Sequence, residues 1–254
     1  MKRRKNLEKA IVLGLLLSTS VYGTAWAGYN VSEDGKTLTI TDSQLGSNNS
    51  KYDGKNISDF EKVNVTFKGN HGNDPYSYRL DAPKTDVTIT IKSGFSMNDD
   101  GIHLTNWDPH FVVRDYTANI SSLSSDALNL SHDATNPYAI IYGDLNATVS
   151  SGSGIRANAS WRSVEQVAKI TVHGTTDISV TGSFPFSDVA IVGVYAGADT
   201  EYNANKPEGE DFNNKTKGQG IIELFGKTTI NTNASKSYGI WAGKNGNINV
   251  HDLE

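Results

Sequence analysis

Apolar and polar residues alternate along most of this chain in runs of only a few residues, and the runs recur. In FVVRDYTANI (111–120), AIIYGDLNATV (139–149), KITVHGTTDISV (169–180) and IIELFGKTTINT (221–232), two apolar patches flank a polar or glycine bend. In the second patch, Ala118 and Ile120, Ala147 and Val149, Ile178 and Val180, and Ile230 and Thr232 alternate with polar neighbours. That period of two predicts strands with one buried face. A third run completes each unit: DGIHLT, DALNLS, SGIRAN, VGVYAG and YGIWAG begin at 100, 126, 153, 192 and 238, spaced by 26, 27, 39 and 46 residues. Repetition on this scale predicts stacked units rather than a closed globule.

Three short strands per unit, joined at corners rich in Gly, Asn, Asp and Ser, predict an all-β parallel β-helix, because those corner residues tolerate the left-handed backbone that a sharp bend needs. Equivalent strands then stack about 4.8 Å apart and like side chains form interior columns. Ile102, Leu128, Ile155, Val194 and Ile240 form one such column, with Leu104, Leu130, Ala157, Ala196 and Ala242 beside it. Upstream, Leu38 and Ile40, then Val63, Val65 and Phe67, then Val87, Ile89 and Ile91 extend the pattern. The expected organisation is a leader over 1–27, an N-terminal cap and first coil over 28–60, and coils over 61–254. A polar insertion at 198–219 and a smaller bulge at 182–188 interrupt the rhythm, and Trp161 to Val167 has the apolar spacing of one helical turn. INVHDLE ends on a strand with no visible cap, as in a piece of a longer protein.

The leader reads as an export signal. Lys2, Arg3, Arg4, Lys5 and Lys9 precede an apolar stretch from Ala10, and Ala25-Trp26-Ala27 places small residues where a signal peptidase accepts them, so cleavage is expected after Ala27. Past that point 18 basic residues face 27 acidic ones, a net charge of −9. No basic stripe remains for nucleic acid or an anionic membrane surface. The chain has no cysteine, so an exported protein of this kind relies on burial and backbone pairing.

Candidate chemistry is sparse. Asn98-Asp99-Asp100-Gly101-Ile102 resembles an acidic motif of polygalacturonases, and paired carboxylates at Asp99 and Asp100 fit general acid and base roles on a glycosidic bond. The companion motifs are missing: the matching positions are Ser125-Asp126, Ser153-Gly154 and Tyr238, and the His-Gly pairs at His71 and His173 sit elsewhere in the pattern. The aspartates read more simply as a turn before a strand. The six histidines lack metal spacing, and calcium at Asp99, Asp100 or the acids of 208–211 has no supporting motif. No catalytic residue, metal ligand or cofactor is assigned. A binding face is the better candidate: between the two inward columns, His103, Asn129, Arg156, Tyr195 and Trp241 align on the outer side of the third strand, and aromatic and Arg side chains commonly anchor partners. Bulky outward residues also shield corners and edges. The alignment alone therefore assigns no ligand.

Laid out this way, the chain resembles the passenger region of Gram-negative type V autotransporters, the pertactin-like and self-associating adhesins. The carriers are the signal ending Ala25-Trp26-Ala27, the missing cysteines, and units such as KTTINTNASKSYGIWAG followed by INV. The resemblance implies a right-handed β-helix, export through the inner membrane, and tethering at the cell surface by a C-terminal β-barrel that these residues do not contain. It implies adhesion or self-association, with a host glycan or protein, or the same protein on a neighbouring cell, as partner. The alternatives are a polysaccharide-active enzyme or a passive stalk presenting a distal domain.

Overall fold

The computed structural model describes residues 28–41, 45–67, 79–92, 100–105, 108–121, 125–130, 134–159, 166–182, 191–198, 218–233, 237–243 and 245–254. The leader with Ala25 and Ala27, Asp99, His71 of the first His-Gly pair, Trp161, most of the bulge and nearly all of the 198–219 insertion lie outside them. Among the described residues the protein is all-β, with one 3-10 turn at Ile57–Asp59 and no α-helix.

The strands fall into three parallel columns. The first contains β4 (Arg79–Ala82), β7 (His110–Val113), β10 (Tyr138–Ile141), β13 (Val167–Val172), the start of β16 (Gln219–Thr232) and β18 (Gly246–Leu253). The second contains β2 (Thr37–Thr41), β3 (Lys62–Phe67), β5 (Asp86–Ile91), β8 (Tyr116–Ile120), β11 (Leu145–Val149), β14 (Thr176–Val180) and the end of β16. The third contains β6 (Ile102–Leu104), β9 (Leu128–Leu130), β12 (Ser153–Ala159), β15 (Ile191–Ala198) and β17 (Ser237–Ala242). From β4 onward the chain visits the columns in this order and returns each time beside its own earlier strand, whereas β2 and β3 follow one another within the second column. At the N-terminus β1 (Gly28–Val31) covers β2 in antiparallel pairing.

The expected pairings occur residue for residue. Ile102, Leu128, Ile155, Val194 and Ile240 stand in one register, as do Ala118, Ala147, Ile178 and Ile230. Nearly all of these inward side chains are buried, while Ile230, Thr232 and Ile240 are half-buried and Ala242 is exposed. Two local readings change. Val167 opens a strand instead of closing a helical turn. The bend expected inside IIELFGKTTINT does not break the strand: β16 runs through Phe225-Gly226-Lys227 and joins the first two columns into one sheet.

Corners keep part of the ladder, as where the Gly143 N–H donates to Arg114, but the corner N–H groups that lose a backbone acceptor need a substitute. Acidic and amide side chains provide it. The Asp115 and Asp144 Oδ1 atoms accept from the backbone N–H of Asp144 and Thr175, each at 2.8 Å. Asn136 accepts from Val167 at 3.1 Å, and Asn48 from Asp81 at 2.7 Å. Each contact links one unit to the next, which is why Asp and Asn recur at these bends in the sequence.

Candidate functional site

The outer side of the third column carries the five residues that the sequence aligned. His103, Asn129, Arg156, Tyr195 and Trp241 are consecutive partners across β6, β9, β12, β15 and β17. The Arg156 guanidinium lies 5.5 Å from the Tyr195 ring centroid, and Tyr195 meets Trp241 edge to face at 5.8 Å. The column is nevertheless not a solvent face along its length. Tyr195 is fully buried and Asn129 is 9% exposed, so this sheet is buried on both sides at its centre. Alternation identified the side on which these residues stand but carried no information on whether that side is covered. Their middle members cannot meet a ligand directly. Tyr238 is exposed and packs on Trp241 at 5.1 Å, at the end of the column.

Beside this column, Asp100 and Asp126 come together across β6 and β9, the acids of the repeated phrase. Both carboxylates are buried, with side-chain exposures of 5% and 8%. Asp100 Oδ1 accepts from the Asp126 N–H at 2.7 Å, and its Oδ2 accepts from Asn129 Nδ2 at 3.0 Å, with His103 Nδ1 at 3.3 Å. Asp126 Oδ1 accepts from the Ser153 N–H at 2.6 Å, and Arg156 Nη1 lies 3.5 Å from its Oδ2. All four oxygens are engaged by the protein, the same unit-to-unit linkage seen at the other corners. The arrangement suits structural acceptors, each carboxylate oxygen having a partner in the protein. Tyr116, buried beneath, donates its hydroxyl to the Ala127 carbonyl at 2.6 Å; burial first, and Asp100 second, hold that phenol well above its usual range.

Burial is also the first cause that raises the Asp126 carboxyl to about 6, and the Asp100 charge adds to it while Arg156 opposes. A carboxyl whose pKa is higher folded than unfolded favours the folded state when protonated, so its contribution is complete at low pH and fades as pH rises through about 6. From that group alone, lowering the pH from 7.5 to 5 should raise stability by about 1 kcal/mol. Urea unfolding at the two pH values should show this gain in the native protein and a smaller one in Asp126→Asn. Equal pH dependence in both would remove Asp126 as its source.

The chain matches no family model, and neither a curated protein nor a solved structure aligns with it. The site must therefore be judged from its own residues. Among the described residues no cluster of three or more His, Asp or Glu side chains could hold a metal ion.

Two exposed features escaped the sequence reading. At the corner between the first and second columns, Tyr142, His173, Phe225 and His251 stack as a ladder with centroid separations of 5.6, 5.3 and 4.6 Å and near-parallel rings. Tyr142 and Phe225 are about half exposed, at 51% and 42%. The two inner rings, His173 and Phe225, have a ring against each face, so the ladder reinforces the stack from unit to unit. The signal was present in the aligned dipeptides Tyr142-Gly143, His173-Gly174 and Phe225-Gly226.

The second feature is the outer side of the second column. Across β2, β3, β5, β8, β11, β14 and β16, one row reads Thr39, Asn64, Thr88, Thr117, Asn146, Asp177, Thr229. The row beside it reads Thr41, Thr66, Thr90, Asn119, Thr148, Ser179, Asn231. None of these fourteen residues is buried.

Proposed function

We propose that this chain is an exported right-handed parallel β-helix, the passenger part of a Gram-negative surface protein, acting in adhesion or self-association at the cell surface. One observation carries the reading: three parallel columns held in register over successive units, which repeat the same exposed positions along one direction. Many weak contacts on such a rod act together, because after the first contact the others become intramolecular and avidity rises far above any single affinity. The resemblance supplies the handedness, the export route and the surface location. A glycoside hydrolase is the weaker reading, since Asp100 and Asp126 are buried and each accepts a backbone hydrogen bond from the next unit.

The test is display. The chain, joined to an outer-membrane barrel on cells that neither clump nor attach, should speed settling of the culture or increase attachment to epithelial monolayers several-fold over cells showing the barrel alone. No change in either assay, with surface exposure verified by protease shaving, would overturn adhesion and self-association and leave the stalk and enzyme readings.

A further inference from the structure

We propose that the buried carboxyls of Asp100 and Asp126 hold one proton that latches β6, the first strand of the third column, onto β9, and that giving up this proton lets β6 open more often. The inference does not depend on what the rod binds. Among the described residues β9 is the one strand paired with β6. β6 is three residues long, and its partners there are Leu128 for Ile102, Asn129 for His103 and Leu130 for Leu104. At its start the Gly101 N–H donates to the Asp126 carbonyl at 2.8 Å, and the Ile102 N–H to that of Ala127 at 3.1 Å. The Asp100 side chain adds further ties, accepting from the Asp126 N–H and from Asn129. So short a strand at the end of a sheet belongs to the part of a protein that opens locally before the whole unfolds.

The tie is also where charge accumulates. Asp100 and Asp126 hold the same position in successive units, and Asp100 Oδ1 lies 2.7 Å from the Asp126 backbone nitrogen, so two buried carboxyls share one corner. Three titratable or charged groups face them among the described residues. His103, on β6 itself, has Nδ1 3.3 Å from Asp100 Oδ2; Arg156, on β12, has Nη1 3.5 Å from Asp126 Oδ2; and the Tyr116 hydroxyl of β8 lies beneath. With both acids ionised and the imidazole and phenol neutral, two negative charges stand against one guanidinium. A single added proton makes the group neutral, which a buried site favours.

Opening of β6 carries Asp100 away from Asp126 and lets water reach both, so the proton is held less tightly in the open state. Burial first and the Asp100 charge second raise the Asp126 carboxyl to about 6, which seats the proton there. The closed strand is therefore favoured by protonation: the latch is complete near pH 5 and fades as pH rises through about 6. Between pH 5 and pH 7.5 the opening equilibrium should rise roughly five- to tenfold. Ile102 and Leu104 are buried in the closed strand, which keeps opening a rare event at either pH and makes amide exchange the readout that detects it.

Hydrogen exchange of the full chain at pH 5 and pH 7.5, corrected for the pH dependence of chemical exchange and repeated in low urea, tests the latch. The Gly101 and Ile102 amides should lose roughly five- to tenfold in protection at the higher pH. Their exchange there should respond to urea less than that of the β12 amides, as a local opening does. Asp126→Asn keeps a side-chain oxygen for the Ser153 N–H but cannot titrate, so its change over this interval should shrink to about twofold or less, whereas His103→Gln should retain the native change. The proposal is overturned by unchanged protection at Gly101 and Ile102, or by a urea response equal to that of β12, which makes the change global. It is also overturned if Asp126→Asn keeps the native change, or if His103→Gln abolishes it, since the imidazole then holds the proton. Should Asp126→Asn fail to fold, the native chain and His103→Gln decide.

Discussion

Ile155→Asp should leave little or no folded protein. Ile155 is fully buried in the middle of the third column, with Leu128 on the strand before and Val194 on the strand after. The substitution removes roughly 1.5 to 3 kcal/mol of apolar burial. It also places a carboxyl in an interior whose neighbours are aliphatic, at a further cost of roughly 2 kcal/mol or more even if the group stays protonated. A total above about 4 kcal/mol takes a large part of the 5 to 15 kcal/mol that holds a typical domain together. Soluble yield and the urea midpoint are the readouts, with Ile155→Val, expected to cost about 1 kcal/mol, as the comparison. A native midpoint for Ile155→Asp would take that residue out of the interior.

Gly174→Ala should be nearly as damaging, for a different reason. Its added Cβ would stand 2.4 Å from both the carbonyl carbon and the oxygen of Gly143, and 2.5 Å from Asp144 Oδ1. The obstacle is backbone, and it is held there: the Gly174 N–H donates to Gly143 at 2.9 Å, and Asp144 Oδ1 accepts from Thr175. On the other side Gly226 approaches Gly174 just as closely, 2.2 Å from its oxygen to a Cβ built on Gly226. Gly143, Gly174 and Gly226 are glycines because consecutive corners touch, and the left-handed backbone is not involved. Separating the corners strains both flanking sheets, at a cost of about 2 to 3 kcal/mol. Gly239→Ala, whose Cβ would meet nothing nearer than Ile230 Cγ2 at 3.8 Å, should melt within about 0.5 kcal/mol of the native protein. Thermal unfolding of the two variants side by side decides it, and similar melting would mean that the corners can part freely.

The glycines of the repeated phrase follow the same logic. A Cβ on Gly154 would meet Ile178 Cγ2 at 2.4 Å and the Gly193 oxygen at 2.5 Å, and one on Gly193 would meet the Gly239 oxygen at 2.6 Å. The phrase is thus legible in the sequence because each unit must fit against the next at the same point. An aligned small residue records a close approach.

Much of the architecture could be read before any coordinates, because one interaction dominates it. Burying one face of a short strand forces apolar residues into alternate positions, and stacking forces the same positions to recur. The strands, the three runs per unit and the interior columns through Ile155 and Ile178 all follow from that rule. What alternation could not supply was the fate of the outer faces. Tyr195 and Asn119 both stand outward on their strands, yet Tyr195 is fully buried and Asn119 is exposed. Period two separates inside from outside on one strand, whereas exposure depends on what packs over the sheet from segments distant in sequence. The roles of Asp100 and Asp126 belonged to the tertiary structure for the same reason. Their residue type suggested acid chemistry, but only the neighbouring unit, 26 or 27 residues further along the chain, shows each carboxylate accepting from a backbone N–H. The sequence by itself determined the strands and which side of each faces the core. Tertiary structure decided which outer surface remains available, because coverage is a property of non-local contacts that a local pattern does not encode.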